Sequence, residues 1–306
     1  MVSTFEDTIK GQLTASRNSH FVMVDGMSKL MTRKINQCQS SDFHIDGLQW
    51  RLIISWKNAQ KDNLYLRLQI TDKKCTGRNW SVNCICFFSL ADERGDHHPI
   101  LEPFPACFKE DSKPNPKSIP WGTLKQRFLV NDKAVFITSI TNVVASFAGI
   151  PIRRRNLGTA ECIKLFEVPQ NNSRFTWKIT RFSSFNGKRH SSYEFTVGPR
   201  RWKIVMYPEG KAGNFSLYLA ASDYVTSAPK TPTFANYKLR VLDQVNRNHH
   251  EAGYKNWFSD TSETSGKGTS KFMPLEELHD PSNGYLVNDQ IFIGVEFLLV
   301  SITENL

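Results

Sequence analysis

Apolar and polar residues alternate along most of this chain. Leu64, Leu66, Leu68 and Ile70 are separated by Tyr65, Arg67 and Gln69. Val82, Cys84, Cys86 and Phe88 share one side of the stretch from Trp80 to Leu90, and Phe215, Leu217 and Leu219 share one side of another. Tyr237, Leu239 and Val241 alternate with Lys238, Arg240 and Leu242. A period of two marks half-buried strands. Turn residues such as Asp46-Gly47, Gly198-Pro199 and Pro208-Glu209-Gly210 punctuate them. Helical periodicity is nearly absent. One helical turn is expected at Pro274-Leu275-Glu276-Glu277-Leu278, with proline at its first position and acidic residues near its N-terminus. Short antiparallel strands at turn spacings of about 8 to 12 residues predict an all-β chain folded as β-sandwich.

The pattern occurs twice. Leu129-Val130-Asn131-Asp132 precedes the apolar run Val135-Phe136-Ile137, and Leu286-Val287-Asn288-Asp289 precedes Ile291-Phe292-Ile293. Placing Trp50 on Trp202, an offset of 202 − 50 = 152, sets Phe43 on Phe195 and Ile45 on Val197. Leu64-Tyr65-Leu66 then falls near Leu217-Tyr218-Leu219, and Cys84, Cys86 and Phe88 meet Tyr237, Leu239 and Val241. Blocks in one order imply two tandem copies, each large enough for its own core. The expected division is a flexible tail over 1–18, a first sandwich over 19–145, a basic linker over 146–172 and a second sandwich over 173–302. Cys162 to Phe166 is a candidate extra strand within the linker. Trp50 and Trp202 are expected to be equivalent plugs between sheets.

Charge and cysteine content narrow the chemistry. The net charge of +10 is spread along the chain, and its one local run is Arg153-Arg154-Arg155 in the linker. That run is either a solvated connector or an anion-binding patch. The N-terminal residues have no apolar signal core, and no apolar run approaches a membrane span of about 20 residues, so a cytoplasmic or nuclear setting without a membrane is expected. Five of the six cysteines lie in the first copy and the second has none, which argues against a disulfide framework intrinsic to the fold. Cys84 and Cys86 on one strand face are either core thiols or a redox or metal pair. The adjacent pairs His97-His98 and His249-His250 point to opposite faces and make poor metal sites. No cofactor motif, serine elbow, HExxH or protease pattern is present, so no metal, cofactor or catalytic residue is expected.

In the second copy Trp177-Lys178-Ile179 stands with Phe182-Ser183, the Trp202 strand ends in Tyr207-Pro208-Glu209-Gly210, and Ser216-Leu217-Tyr218-Leu219 follows. Phe272, the Leu275–Leu278 turn and Asn283 to Asp289 complete the series. In these residues the copy resembles the meprin and TRAF-C homology (MATH, or TRAF-like) domain. The first copy is divergent: it keeps the Trp50 strand, Leu64-Tyr65-Leu66, Trp121-Gly122 and Leu129 to Asp132, but Met23 stands at the opening tryptophan. Tandem copies without an attached enzyme resemble plant TRAF-like proteins. The resemblance implies two eight-stranded antiparallel sandwiches that bind short extended peptides. It implies a peptide groove in the second copy at Asn214, Tyr237, Trp257, Phe258, Lys267, Gly268 and Thr269. Lys267 and Thr269 replace the family's aromatics there. Weaker equivalents in the first copy are Asn63, Cys84, Trp121 and Gly122. On periodicity alone, Tyr237, Trp257 and Phe258 are equally readable as core.

Together these features lead to a non-enzymatic adaptor that binds peptides of partner proteins, with a link to ubiquitin-dependent substrate recognition implied by the resemblance. The alternatives are a self-associating scaffold and, less favoured by the diffuse charge, a nucleic-acid binder.

Overall fold

The computed structural model describes residues 5–13, 18–32, 37–56, 63–72, 80–109, 114–147, 159–166, 168, 172–222, 233–258 and 266–306, without the side chains of 5, 6, 12, 13 and 30–32. The chain forms two compact units, Met1–Leu165 with Thr303–Leu306, and Phe166–Ile302.

In the first unit one sheet contains β1 (Ser19–Asp25), β6 (Trp80–Ala91), β7 (His97–Pro99), β8 (Phe104–Lys109), β10 (Lys133–Phe147) and β11 (Thr159–Phe166). Its order is β11-β1-β10-β6, with β7 and β8 both on β6. The other sheet runs β2 (Gln37–Gln39) and β3 (Phe43–Ile45) on β4 (Leu48–Trp56), then β5 (Asn63–Ile70) and β9 (Lys117–Pro120). The second unit repeats this plan. One sheet is β12 (Arg174–Thr180), β20 (Gln290–Asn305), β17 (Thr233–Val241) and β18 (His250–Phe258). The other is β13 (His190–Ser191) and β14 (Phe195–Val197) on β15 (Arg200–Tyr207), then β16 (Asn214–Ala221) and β19 (Lys267–Pro274). With the broken pairs β2/β3 and β13/β14 each taken as one strand, both units are eight-stranded sandwiches to which the first adds β7 and β11.

Matching hydrogen bonds hold the two copies. Trp50 and Trp202 are fully buried, and each indole Nε1–H donates over 3.1 Å to a backbone carbonyl, Ile45 O and Val197 O. The repeated Asn-Asp pairs are two-residue hairpin turns. Asn131, Asp132, Asn288 and Asp289 all have φ between 50° and 64°, a left-handed conformation that Asn and Asp tolerate. Each turn is closed by reciprocal main-chain bonds, Val130 with Lys133 and Val287 with Gln290. Each aspartate then accepts from the amide and hydroxyl of one serine, Asp132 from Ser28 in α2 (Met27–Thr32) and Asp289 from Ser183, at 2.7–2.8 Å. The repeated sequence is therefore a repeated turn with a repeated tether.

Four local expectations change. The expected N-terminal tail contains a helix, α1 (Phe5–Leu13), whose Ile9 is buried with Phe21, Met23, Val135, Ile137, Ala160 and Cys162 on the outer face of the sheet. Its apolar residues recur only as Phe5, Ile9 and Leu13, a stripe too sparse to stand out. Within the expected linker, β10 extends to Phe147 and β11 pairs in parallel with β1, from His20↔Thr159 to Asp25↔Lys164. Arg153-Arg154-Arg155 lies outside the described residues. Asp25 and Thr180 each pair with the residue after the turn aspartate, Lys133 and Gln290, so Val22 and not Met23 is the counterpart of Trp177. Finally, α4 (Leu275–His279) forms as expected, but Pro274 precedes it as the cap residue.

Candidate functional site

The inner face of the second sandwich takes most of the aromatics expected in the groove. Tyr237 is fully buried on β17 between Phe258 and Phe297, with its ring stacked on Tyr254 at 5.6 Å. Its hydroxyl donates to Lys267 O over 2.8 Å and accepts from Asn256 Nδ2 over 3.1 Å. Burial pushes the phenol far above its ordinary value, with the Asn256 bond only partly opposing, so Tyr237 is a neutral donor that joins β17 to β19. Phe258 is buried edge-on against Trp202 at 4.9 Å. Trp257 on the opposite face of β18 is half-buried beside Phe234, and its Nε1–H has no partner among the described residues. Of the two readings of Tyr237 and Phe258, core packing is the one observed.

The remaining expected residues are placed by main-chain geometry. Asn214 Nδ2 donates to Lys211 O and Ala212 O and fastens the β15–β16 turn. Lys267, Gly268 and Thr269 lie on β19 opposite Leu219, Tyr218 and Leu217. A Cβ on Gly268 would lie 2.1 Å from Leu217 O and 2.7 Å from Tyr218 Cα, so only glycine lets the strands approach this closely. Thr269 Oγ1 accepts from Lys271 N.

In the first copy the expected equivalents are not brought together as a groove. Asn63 pairs with Pro120, as Asn214 pairs with Pro274, so Trp121 and Gly122 begin α3 (Trp121–Arg127) and correspond to the start of α4 rather than to Lys267-Gly268. Trp121 meets Trp56 edge-on at 5.3 Å, and Gly122 faces open space. Cys86, not Cys84, stands at the place of Tyr237: Cys86 pairs with Ile140 and Tyr237 with Phe297, each eight residues after the turn aspartate (140 − 132 and 297 − 289). Cys84 is buried with its Sγ 3.6 Å from Cys86 Sγ, and the Cys86 contact and burial push its thiol well above the ordinary range.

An open pocket of about 540 Å³ lies on the opposite, outer face of the second copy's β15–β16–β19 sheet. Gly187, Tyr207, Glu209, Gly210, Lys211, Ser216, Tyr218 and Ser270 line it. Trp202, Ile204, Met206, Phe215, Leu217 and Leu219 point inward, so strand alternation sends Tyr207, Ser216 and Tyr218 outward. The two tyrosine rings meet edge-on at 6.0 Å. Ser216 Oγ donates to Ser270 O over 2.9 Å. Burial and the neighbouring Tyr207 push the Tyr218 phenol upward, against a hydrogen bond with Ser270. A Cβ on Gly210 would lie 2.0 Å from Ser216 Oγ, which fixes the turn close over the strand. The result is a half-buried aromatic floor with hydroxyls at its centre and one charge of each sign, Glu209 and Lys211, at its edge. Its size suits a few side chains of a ligand. Tyr207 and Tyr218 were legible in the sequence as aromatics on the face that their own strands' alternation assigns to solvent.

Among the described residues no group of three His, Cys, Asp or Glu side chains is arranged to hold a metal, and no helix is long and apolar enough to cross a membrane. The histidines expected to be poor ligands make local contacts: His98 Nε2 lies 2.8 Å from Asp92, and His250 Nε2 donates to Phe272 O.

The sequence pattern of the MATH domain matches residues 19–140 and 174–297. Ubiquitin C-terminal hydrolase 12 of Arabidopsis thaliana is 35% identical over 124 residues, which is 40% of this chain and 11% of that protein. A MATH domain and coiled-coil domain-containing protein of the same plant is 32% identical over 133 residues, 42% of this chain and 40% of that protein. The chain therefore spans about a tenth of the hydrolase and two-fifths of the coiled-coil protein. The solved structure of TRAF5 from Notothenia coriiceps is 26% identical over 42% of this chain and 73% of that one, with a TM-score of 0.33. MATH domains are protein-interaction modules, and with two of them filling most of its length this chain belongs to the MATH-domain family.

Proposed function

We propose that this protein is a non-enzymatic adaptor that binds short extended peptides of partner proteins on the outer face of the β15–β16–β19 sheet of its second copy. The observation that carries this reading is the pairing of Tyr207 and Tyr218 on a face without a core, walled by the Pro208–Gly210 turn and open to solvent. Aromatic rings with hydroxyls at hand hold an extended peptide by apolar contact and supply donors and acceptors to its main chain. Lys211, at the edge of the pocket, favours a partner with acidic or polar residues near that end of the site. A short peptide loses conformational freedom on binding, so the dissociation constant is about micromolar. Relatives named as ubiquitin hydrolases match 124 residues of this chain, and the adaptor's partners belong by that analogy to ubiquitin-linked substrate recognition.

The test is affinity capture followed by mass spectrometry with wild-type, Tyr218→Ala and Arg153–Arg155→Ala chains. Tyr218 is half-buried on the surface, so its truncation leaves the fold intact. Loss of a central aromatic contact weakens binding by about thirtyfold, and the Tyr218 variant therefore loses the partners that the arginine variant keeps. Retention of every partner by Tyr218→Ala, or loss confined to the arginine variant with steep salt dependence, would overturn the reading.

A further inference from the structure

The two copies treat one sheet edge differently. In the first unit the free edge of β1 is occupied by β11 in parallel, with Phe21↔Ala160 and Met23↔Cys162 in register. Docking is completed by Glu161, whose carboxylate is buried with His20 and accepts from the amide and hydroxyl of Ser41. The His20 ring stacks on Phe43 at 3.9 Å and 14°.

The second unit has the same edge. Phe175 stacks on Phe195 at 3.9 Å and 11°, the counterpart of His20 on Phe43. Ser192 Oγ donates to Tyr193 O and accepts from Ile204 N, as Ser40 Oγ donates to Ser41 O and accepts from Leu52 N. Tyr193 therefore stands at the place of Ser41. Among the described residues β12 pairs only with β20. The bond from Phe297 N to Ser173 O sets the ladder so that Ser173, Phe175 and Trp177 face β20, while the main-chain groups of Thr176 and Lys178 point away from it. These two residues are exposed, Phe175 and Trp177 are half-buried, and Tyr193 is 88% exposed.

We propose that the β12 edge is a second binding site, which takes an extended acidic segment of another protein as an added strand parallel to β12. The first unit supplies the geometry. Strand addition satisfies the edge amides, and side chains that point inward pack beside Trp177 under Tyr193. Charge selects the occupant. Arg174, Lys178 and Arg181 are exposed along this edge; among the described residues Arg174 pairs with Glu296 and the Lys178 ammonium lies 5.7 Å from the Phe292 ring centroid. The same charges disfavour a second copy as the occupant. Antiparallel self-pairing centred on Thr176 would set Arg174 against Lys178, like charges directly opposite one another. Alternating acidic residues beside Thr176, Lys178 and Thr180 with apolar ones beside Trp177 and Ile179 fit the edge.

A fluorescent peptide Thr-Glu-Val-Glu-Ile-Glu-Leu-Phe, titrated with the whole chain, tests this against Thr-Lys-Val-Lys-Ile-Lys-Leu-Phe. The acidic peptide is expected to bind and the basic one not to. Thr176→Pro removes an outward amide without breaking the ladder to β20, and it is expected to abolish binding. Lys178→Glu is expected to weaken it by about fivefold, and Tyr218→Ala to leave it unchanged, which separates this edge from the pocket. Equal binding of both peptides, or full binding by a folded Thr176→Pro chain, would overturn the proposal, as would the absence of binding by the acidic peptide. Loss in Tyr218→Ala alone would move the peptide to the pocket and also overturn it.

Discussion

Replacing Glu161 by alanine should release β11 from the first unit. Glu161 and His20 are 1% and 3% exposed. The carboxylate receives Ser41 N over 3.0 and 3.2 Å as well as the Ser41 hydroxyl, with His20 Nε2 at 3.4 Å. Alanine leaves the amide, hydroxyl and imidazole without this acceptor, at about 1–3 kcal/mol for each group that water cannot reach. Ser41 is half-buried and recovers part of that from solvent. The total falls near the 3–5 kcal/mol typical of breaking a buried charge network, against about 5–15 kcal/mol for a domain. Thermal unfolding should lower the midpoint of the first unit by about 10 °C, with the second unit unmoved. Hydrogen exchange should show faster exchange at Phe21 and Met23, whose amides face β11, and unchanged rates at Val22, whose amide faces β10. Glu161→Gln keeps one acceptor and should lie between the two. An alanine variant that keeps Phe21 and Met23 protected, with a midpoint within about 2 °C of wild type, would refute the assignment of Glu161 as the anchor of this strand.

Trp50→Ala and Trp202→Ala should each destabilise their own unit by about 3–5 kcal/mol in denaturant titration, because both indoles are fully buried and donate to matching carbonyls; a loss below 1 kcal/mol at either would break the equivalence. Tyr237→Phe should cost about 1–2 kcal/mol of stability by deleting the Lys267–Asn256 linkage, with peptide capture at the pocket retained once the chain is folded. Below its ordinary value near 3.8, the Asp289 carboxyl is held ionised by the Ser183 hydroxyl and amide. A carboxylate whose folded value is depressed stabilises above the unfolded value, and that contribution fades as pH falls through the folded one. Wild type should therefore lose stability more steeply than Asp289→Asn below about pH 4, and parallel acid titrations would count against the tether. In native protein at pH 8, Cys38, whose thiol burial and Glu161 push up to about 12, should resist iodoacetamide, as should buried Cys84; rapid alkylation of either would contradict its burial.

The repeat was legible because the physics that fixes it is local. A tryptophan opening an alternating strand, and an Asn-Asp pair held in left-handed geometry before a closing strand, constrain their own neighbours and recur in both copies. Where an expectation depended on which face of a strand met which neighbour, sequence spacing was insufficient. Cys84 and Cys86 share one face two residues apart, so alternation alone does not choose between them as the counterpart of Tyr237. The ladder chooses: Cys86 pairs with Ile140 and Tyr237 with Phe297, each eight residues after its turn aspartate and ahead of the bulge in its ladder. Trp121-Gly122 looked like a groove flank, yet Pro120 before it has the φ of −60° and ψ of 132° of an extended cap that starts a helix.

The same distinction explains why the pocket and the edge escaped sequence reading. A buried tyrosine and a surface tyrosine share one composition, and only their phase within a strand separates them. Tyr237 keeps phase with Leu239 and Val241, so it belongs to the core, while Tyr218 is out of phase with Phe215, Leu217 and Leu219 and must face outward. Phase thus places the proposed peptide site on the outer face of the β15–β16–β19 sheet, not on β17, without changing the family. The edge carries a further lesson, because no single copy contains it. Tyr193 is recognised as part of a surface site only when it is seen to occupy the place of Ser41, whose amide and hydroxyl donate to Glu161, and β12 is recognised as an edge only when β11 is seen to close β1. Tandem duplication lets one copy bind its own chain while leaving the equivalent edge of the other to a partner. Divergence at the contact positions, Glu-binding Ser41 and His20 against aromatic Tyr193 and Phe175, is what such a division of roles requires.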